Sequence, residues 1–207
     1  MKANLLKATV SKLTSIPPGT AADRFRDLQS GKLVSKGEPG RYGGVTMTDS
    51  DRINTLLGFA FDPGRGESRV SNVKRIRRFK LAQATYNPLR TKLSPKDNAR
   101  AAFQFVEGLG IKFDDLGRAL DGIVGSMRSG AFSGWEDGVR ANVVVDFNDD
   151  RSAAITMDRP QVNNSAIFIF EPAGHRSPAE AAIERIVRFN RIVFEELATN
   201  ETAPDQD

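Results

Sequence analysis

Eleven cations crowd into residues 65–100: Arg65, Arg69, Lys74, Arg75, Arg77, Arg78, Lys80, Arg90, Lys92, Lys96 and Arg100, opposed only by Glu67 and Asp97. Side chains of this kind neutralise phosphates and release the counterions condensed around them, so the chemistry expected of the cluster is salt-sensitive binding of a polyanion. Phe79 and Tyr86 lie among the cations and offer rings on which bases stack. The candidate nucleic-acid-binding residues are therefore Arg65, Arg69, Lys74, Arg75, Arg77, Arg78, Lys80, Tyr86, Arg90 and Lys92. The same cluster suits an acidic protein surface, such as the acidic half of another copy, or a face that water alone solvates.

Other chemistry has thinner support. His175, the one histidine, stands near Glu171 and Arg176 in a segment leaving an apolar run. That is a place for acid–base work, but it has no nucleophile motif around it and reads more simply as surface. Arg41-Tyr42-Gly43-Gly44 and Asp62-Pro63-Gly64-Arg65-Gly66 bring glycines beside an arginine, yet neither matches a phosphate-loop pattern, and both read as turns. Residues 146–150, Asp-Phe-Asn-Asp-Asp, begin like a calcium loop but have Arg151 and Met157 where that loop needs Gly and Glu, so a hairpin turn is expected. The absence of cysteine excludes disulfides, thiol nucleophiles and cysteine zinc sites, and a single histidine excludes multi-histidine metal sites. No cofactor is implied.

Charge is unevenly spread over the 207 residues. Residues 1–100 hold 20 Lys+Arg against 8 Asp+Glu, and residues 101–207 hold 10 against 18, which sums to the net +4. Opposed halves of this kind point to a polyanionic partner, to contact between unlike ends of neighbouring copies, or simply to one domain whose halves neutralise each other. No apolar run approaches the ~20 residues of a membrane span, and the N-terminus lacks a secretory signal's apolar stretch, so the chain is expected in the cytoplasm.

The elements that must hold these residues follow from period and capping. Leu5, Leu6, Val10 and Leu13 share one face of a short helix bearing Lys2, Lys7 and Lys12. It is a basic amphipathic arm over residues 1–18, suited to its own core or a neighbouring copy and, less so, to a membrane surface. Pro17-Pro18-Gly19 breaks it, residues 20–29 read as a second helix, and residues 31–44, with five glycines, read as a loop. Thr48-Asp49-Ser50-Asp51 caps a helix through Ile53, Leu56, Leu57 and Ala60. Ser94-Pro95-Lys96-Asp97 caps another through Ala99, Ala102, Phe103 and Val106, and Asp114 or Asp115 starts a third through Leu116, Leu120, Ile123, Val124 and Met127. Residues 70–86 fit a helix through Val70, Val73, Ile76 and Phe79, or a strand with neither face cleanly apolar. Alternation in 140–170 predicts a three-stranded antiparallel meander. Ser177-Pro178-Ala179-Glu180 opens a predicted long helix, 178–199, whose stripe runs through Ile183, Ile186, Val187, Val193, Phe194 and Leu197 with Asn190 inside it. Trp135 reads as a lid over the core or an anchor for a partner.

The expected fold is thus α+β, mainly helical: about six helices around a small three-stranded meander and a long C-terminal helix, with residues 19–199 as one globular domain and 200–207 as an acidic flexible tail. Self-association is expected through Leu5, Leu6, Val10, Ile183, Ile186, Val187, Asn190 and Phe194. The functional expectation is a non-enzymatic, self-associating protein that binds RNA or single-stranded DNA through its basic N-terminal half. By type it would be a viral coat, nucleocapsid or matrix subunit, found in host cytoplasm and virion. Two alternatives stand beside it: a helix-turn-helix DNA-binding regulator built on 102–120, whose second helix would begin with Asp114 and Asp115 against the phosphates, and an enzyme centred on His175 and Glu171.

Overall fold

The computed structural model describes residues 1–36, 45–64, 66–87, 93–136, 141–148, 152–159, 164–173 and 186–199. The chain forms two compact units, one of residues 1–75 with 195–207, the other of residues 76–194. The class is α+β, with eight α-helices among the described residues and one five-stranded antiparallel sheet where a three-stranded one was expected.

The first unit is helical. It contains α1 (Ala3–Leu13), α2 (Pro18–Ser30), α3 (Asp49–Ala60), the start of α4 (Arg69–Arg77) and the end of α8 (Arg191–Ala198). Helix α3 is its axis, buried at every position from Asp51 to Phe59. Thr48 caps its start, as expected, and the cap is reciprocal: the Thr48 hydroxyl accepts from the Asp51 amide at 3.1 Å, and the Asp51 carboxylate accepts from the Thr48 amide at 2.9 Å. Buried polar groups on this helix are tied to backbone. Arg52, 1% exposed, donates from Nη1 to the Leu197 carbonyl at 2.6 Å, and Asn54 donates to the Leu33 carbonyl at 2.6 Å. Helices α2 and α3 cross closely at Gly58, where a Cβ would stand 2.7 Å from Leu28 Cδ1. Helix α1 packs on both α2 and α3, with Leu6 and Val10 at 0% exposure.

The second unit is built on the sheet, in the order β1 (Lys80–Asn87), β4 (Asn164–Glu171), β3 (Ser152–Arg159), β2 (Asn142–Asn148), β5 (Ile186–Asn190). The expected meander is its centre, β2-β3-β4. Asn148 pairs with Ser152 at the end of the β2–β3 ladder, and residues 149–151, expected to form a hairpin turn, lie outside the described residues. One sheet face carries Val143, Val145, Phe147, Ala153, Ile155, Met157, Ala166, Phe168 and Phe170, all buried. Helices α5 (Pro95–Val106), α6 (Leu116–Arg128) and α7 (Ala131–Glu136) also contribute buried residues to this unit. Phe113 stacks on Phe168 at 3.9 Å, and Trp135, 8% exposed, donates its indole N–H to the Phe105 carbonyl at 2.7 Å. Trp135 is thus a core lid with its polar edge satisfied.

Two elements differ from expectation. Residues 70–86 are both things the sequence allowed: α4 ends at Arg77 and β1 starts at Lys80. The strand hid its pattern because Ala82 is an extra residue in a bulge, Leu81 facing Phe170 and Gln83 facing Ile169. Beyond the bulge the alternation is reset, so Leu81, Ala84 and Tyr86 all lie on the core face. The long C-terminal helix is corrected more sharply. Residues 186–190 form β5 on the outer edge of β2, Phe189 opposite Val145 and Arg188 opposite Asp146, and helix begins only at Arg191. β-branched Ile186 and Val187 suit a strand, and pairing satisfies backbone groups that β2 would otherwise leave open. The cap at Ser177-Pro178 and Ile183 lie outside the described residues.

Candidate nucleic-acid interface

Three arginines of the cationic cluster, Arg69, Arg75 and Arg77, are engaged by the protein itself. Arg69 lies over the C-terminal end of α3, donating from Nη1 to the carbonyls of Gly58 (2.6 Å) and Phe61 (3.1 Å), with Asp62 at 3.6 Å. There it answers carbonyls the helix leaves unpaired and the negative end of its dipole. Burial, and then the neighbouring Arg24, hold its guanidinium below the ordinary value, against Asp62, which raises it. Arg75 pairs with Glu67 at 3.2 Å and with the Asn72 side chain at 2.7 Å. Arg77 forms a two-pronged pair with Asp121 at 2.6 and 3.0 Å and lies against Gly117, where a Cβ would meet its Nε at 2.8 Å. A guanidinium whose charge is already met by a bidentate carboxylate gains little from a phosphate.

Among the described residues up to Tyr86, Lys74 in the first unit and Arg78 and Lys80 in the second are left facing solvent. Lys74 and Arg78 make no ion pair with a described residue, and Lys80 stands 3.8 Å from Asp115. Tyr86 is half-buried, its ring 5.5 Å from that of Phe105 and its amide bonded to the Asn98 side chain. Phe79 is 1% exposed. The Phe79 ring is therefore closed to a base, and the Tyr86 ring is partly covered. Arg65, Arg90 and Lys92 lie outside the described residues.

A second set of groups, only part of it anticipated, lies together on α5. The Ser94 hydroxyl accepts from the Asp97 amide, as its sequence predicted, and starts a helix that packs on β1. Lys96, Arg100 and Phe103 then follow at i, i+4 and i+7, a single face, and all three are exposed. Lys96 and Arg100 have no carboxylate partner among the described residues. Phe103 is 41% exposed, one of two large apolar side chains so placed among the described residues, and its ring rests on Phe113 at 6.1 Å and Phe168 at 5.5 Å. Core rings therefore fix an outward-facing aromatic in line with two cations. Sequence periodicity assigned Phe103 to the apolar stripe, and no signal in the sequence separated it from the buried Ala102 and Val106.

The residues expected to serve self-association are scattered. Leu6, Val10 and Phe194 are fully buried, Leu5 and Val187 half-buried, Asn190 exposed at the end of β5, and Ile186 is the first residue of that strand. Arg188 pairs with Asp146 across strands at 2.6 and 2.9 Å, and this bond raises its pKa. The second large apolar exposure is Ile192, 54% exposed, just after β5.

The alternatives can be placed as well. Helix α6, the second helix of the 102–120 hairpin, buries seven residues including Leu116, Leu120 and Ile123; Asp115 caps it and Asp114 pairs with Arg118 at 2.8 Å. Glu171 ends β4 half-buried, and His175 lies outside the described residues. Among the described residues there is no metal-suited group of three or more His, Cys, Asp or Glu, and no helix long and apolar enough to cross a membrane. Comparison with protein-family models, with curated proteins and with solved structures found no match.

Proposed function

We propose that this protein is a non-enzymatic, self-associating structural protein of coat or nucleocapsid type that binds RNA or single-stranded DNA along the exposed face of α5. The observation that carries the reading is Phe103, 41% exposed and braced by core rings, in line with the unpaired cations Lys96 and Arg100. The two cations stand roughly 6 Å apart along the helix axis. Both side chains are long enough to meet neighbouring phosphates of a flexible strand while the ring accepts a base, a combination that tolerates any sequence. Arg78 and Lys80 add cations to the same unit. Single strands are favoured over duplex because α6 offers no groove-reading face. Self-association draws support from Ile192 beside the edge strand β5, since an exposed apolar residue at a sheet edge invites a second copy.

Oligonucleotide affinity measured across salt tests the reading. Lys96→Ala with Arg100→Ala lowers the slope of log affinity against log salt by about 1.4, from about 0.7 per phosphate contact on a single strand. Phe103→Ala weakens binding about tenfold at constant salt. An unchanged slope, or a strong preference for one duplex sequence, overturns the proposal.

A further inference from the structure

Away from the α5 face, helices α1 and α2 and the turn joining them enclose a groove of about 470 Å³, within the roughly 300–1,000 Å³ of small-molecule sites. The turn contains Ser15, a non-glycine residue at φ 55°, a conformation that persists only where the surroundings enforce it. Ala8, Ile16, Pro18 and Ala21 make the wall, and their small or compact side chains leave the space unfilled. Ser11, which also faces the groove, has its hydroxyl donated to the Ile16 carbonyl at 2.6 Å, so this polar group is already engaged. Lys7 and Lys12 complete the lining. Neither pairs with a carboxylate among the described residues, and the chain contains no Asp or Glu before Asp23. An apolar trough flanked by two uncompensated ammonium groups complements a molecule with an apolar chain and an anionic head, the lysine stems lying along the chain while their ends reach the head.

We propose that this groove binds a free single-chain anionic amphiphile of the fatty-carboxylate class. A bilayer surface is the other source of such chemistry, and α1 is poorly made for it. Leu6 and Val10 are at 0% exposure inside the unit, and the exposed positions of the helix are Asn4, Ala8 and Lys12, so it has no apolar face to insert.

Calorimetric titration with dodecanoate, held below its micellar concentration, is the test. One saturable site is expected, with octanoate weaker by about two-hundredfold from four fewer buried methylenes and dodecyltrimethylammonium not bound. Lys7→Gln with Lys12→Gln weakens dodecanoate binding about tenfold at unchanged melting temperature, and Ala8→Trp, which fills the trough and keeps both lysines, weakens it at least as much. Equal binding of the cationic amphiphile, or undiminished binding by either variant, overturns the proposal. So does capture of the protein by anionic vesicles when free dodecanoate is not bound.

Discussion

Arg77 separates a structural cation from a phosphate-binding one. By sequence it belongs with Arg75 and Arg78 in one basic run, whereas in the fold its guanidinium holds Asp121 at 2.6 and 3.0 Å, with the two side chains 18% and 23% exposed. A fully exposed pair contributes about 0–1 kcal/mol, and breaking a buried one costs about 3–5 kcal/mol. This pair sits between the limits, so Arg77→Ala should cost about 2 kcal/mol, including its contact with Gly117. For a domain of this size that is a fall of roughly 8 °C in melting temperature. The single tryptophan, Trp135, buried in the same unit, reports the transition by fluorescence. Adding Asp121→Ala should recover part of the loss as a coupling of about 1–2 kcal/mol. Arg78→Ala, at an exposed position without an ion pair, should leave stability within about 0.5 kcal/mol. In oligonucleotide binding Arg77→Ala should leave the salt slope unchanged. A lowered slope with an unshifted melting temperature would falsify the reasoning, because the guanidinium would then be meeting phosphate and not Asp121.

Three further outcomes are expected. Gly58→Ala should destabilise the first unit by about 1–3 kcal/mol, since the added methyl meets Leu28, and denaturant unfolding followed by circular dichroism reads this directly. Phe189→Ala should cost about 3 kcal/mol, because this ring of the edge strand β5 is buried opposite Val145; a cost under about 1 kcal/mol would return residues 186–190 to the solvent. Ile192→Ser should leave the melting temperature of the monomer unchanged and reduce the mass of any assembly in light scattering, and an assembly of unchanged mass would remove this edge from the contact.

The sequence by itself determined the elements whose signals are local. Thr48 and Ser94 cap the helices they were expected to cap, because a side chain three positions from its partner amide needs no tertiary help. The alternation in 142–171 was enough for β2, β3 and β4, since each strand of a one-sided sheet records its buried face in its own residues. The density of cations was equally legible. Tertiary structure decided everything that depended on a distant partner. Residues 186–190 carry a pattern compatible with helix or strand, and the open edge of β2, some 40 positions earlier, selected the strand. In β1 one bulged residue reset the alternation, and only pairing with β4 shows which face is inward. Arg69 and Arg77 lost their positions in the candidate interface to carbonyls of α3 and to Asp121, while Phe103 gained one because the ring beneath it, Phe168, belongs to a strand 65 positions away. Charge content is fixed by composition; which charges face water is fixed by which carboxylates and carbonyls the fold brings to them first, because a guanidinium satisfied inside the protein gains little by meeting a phosphate outside it.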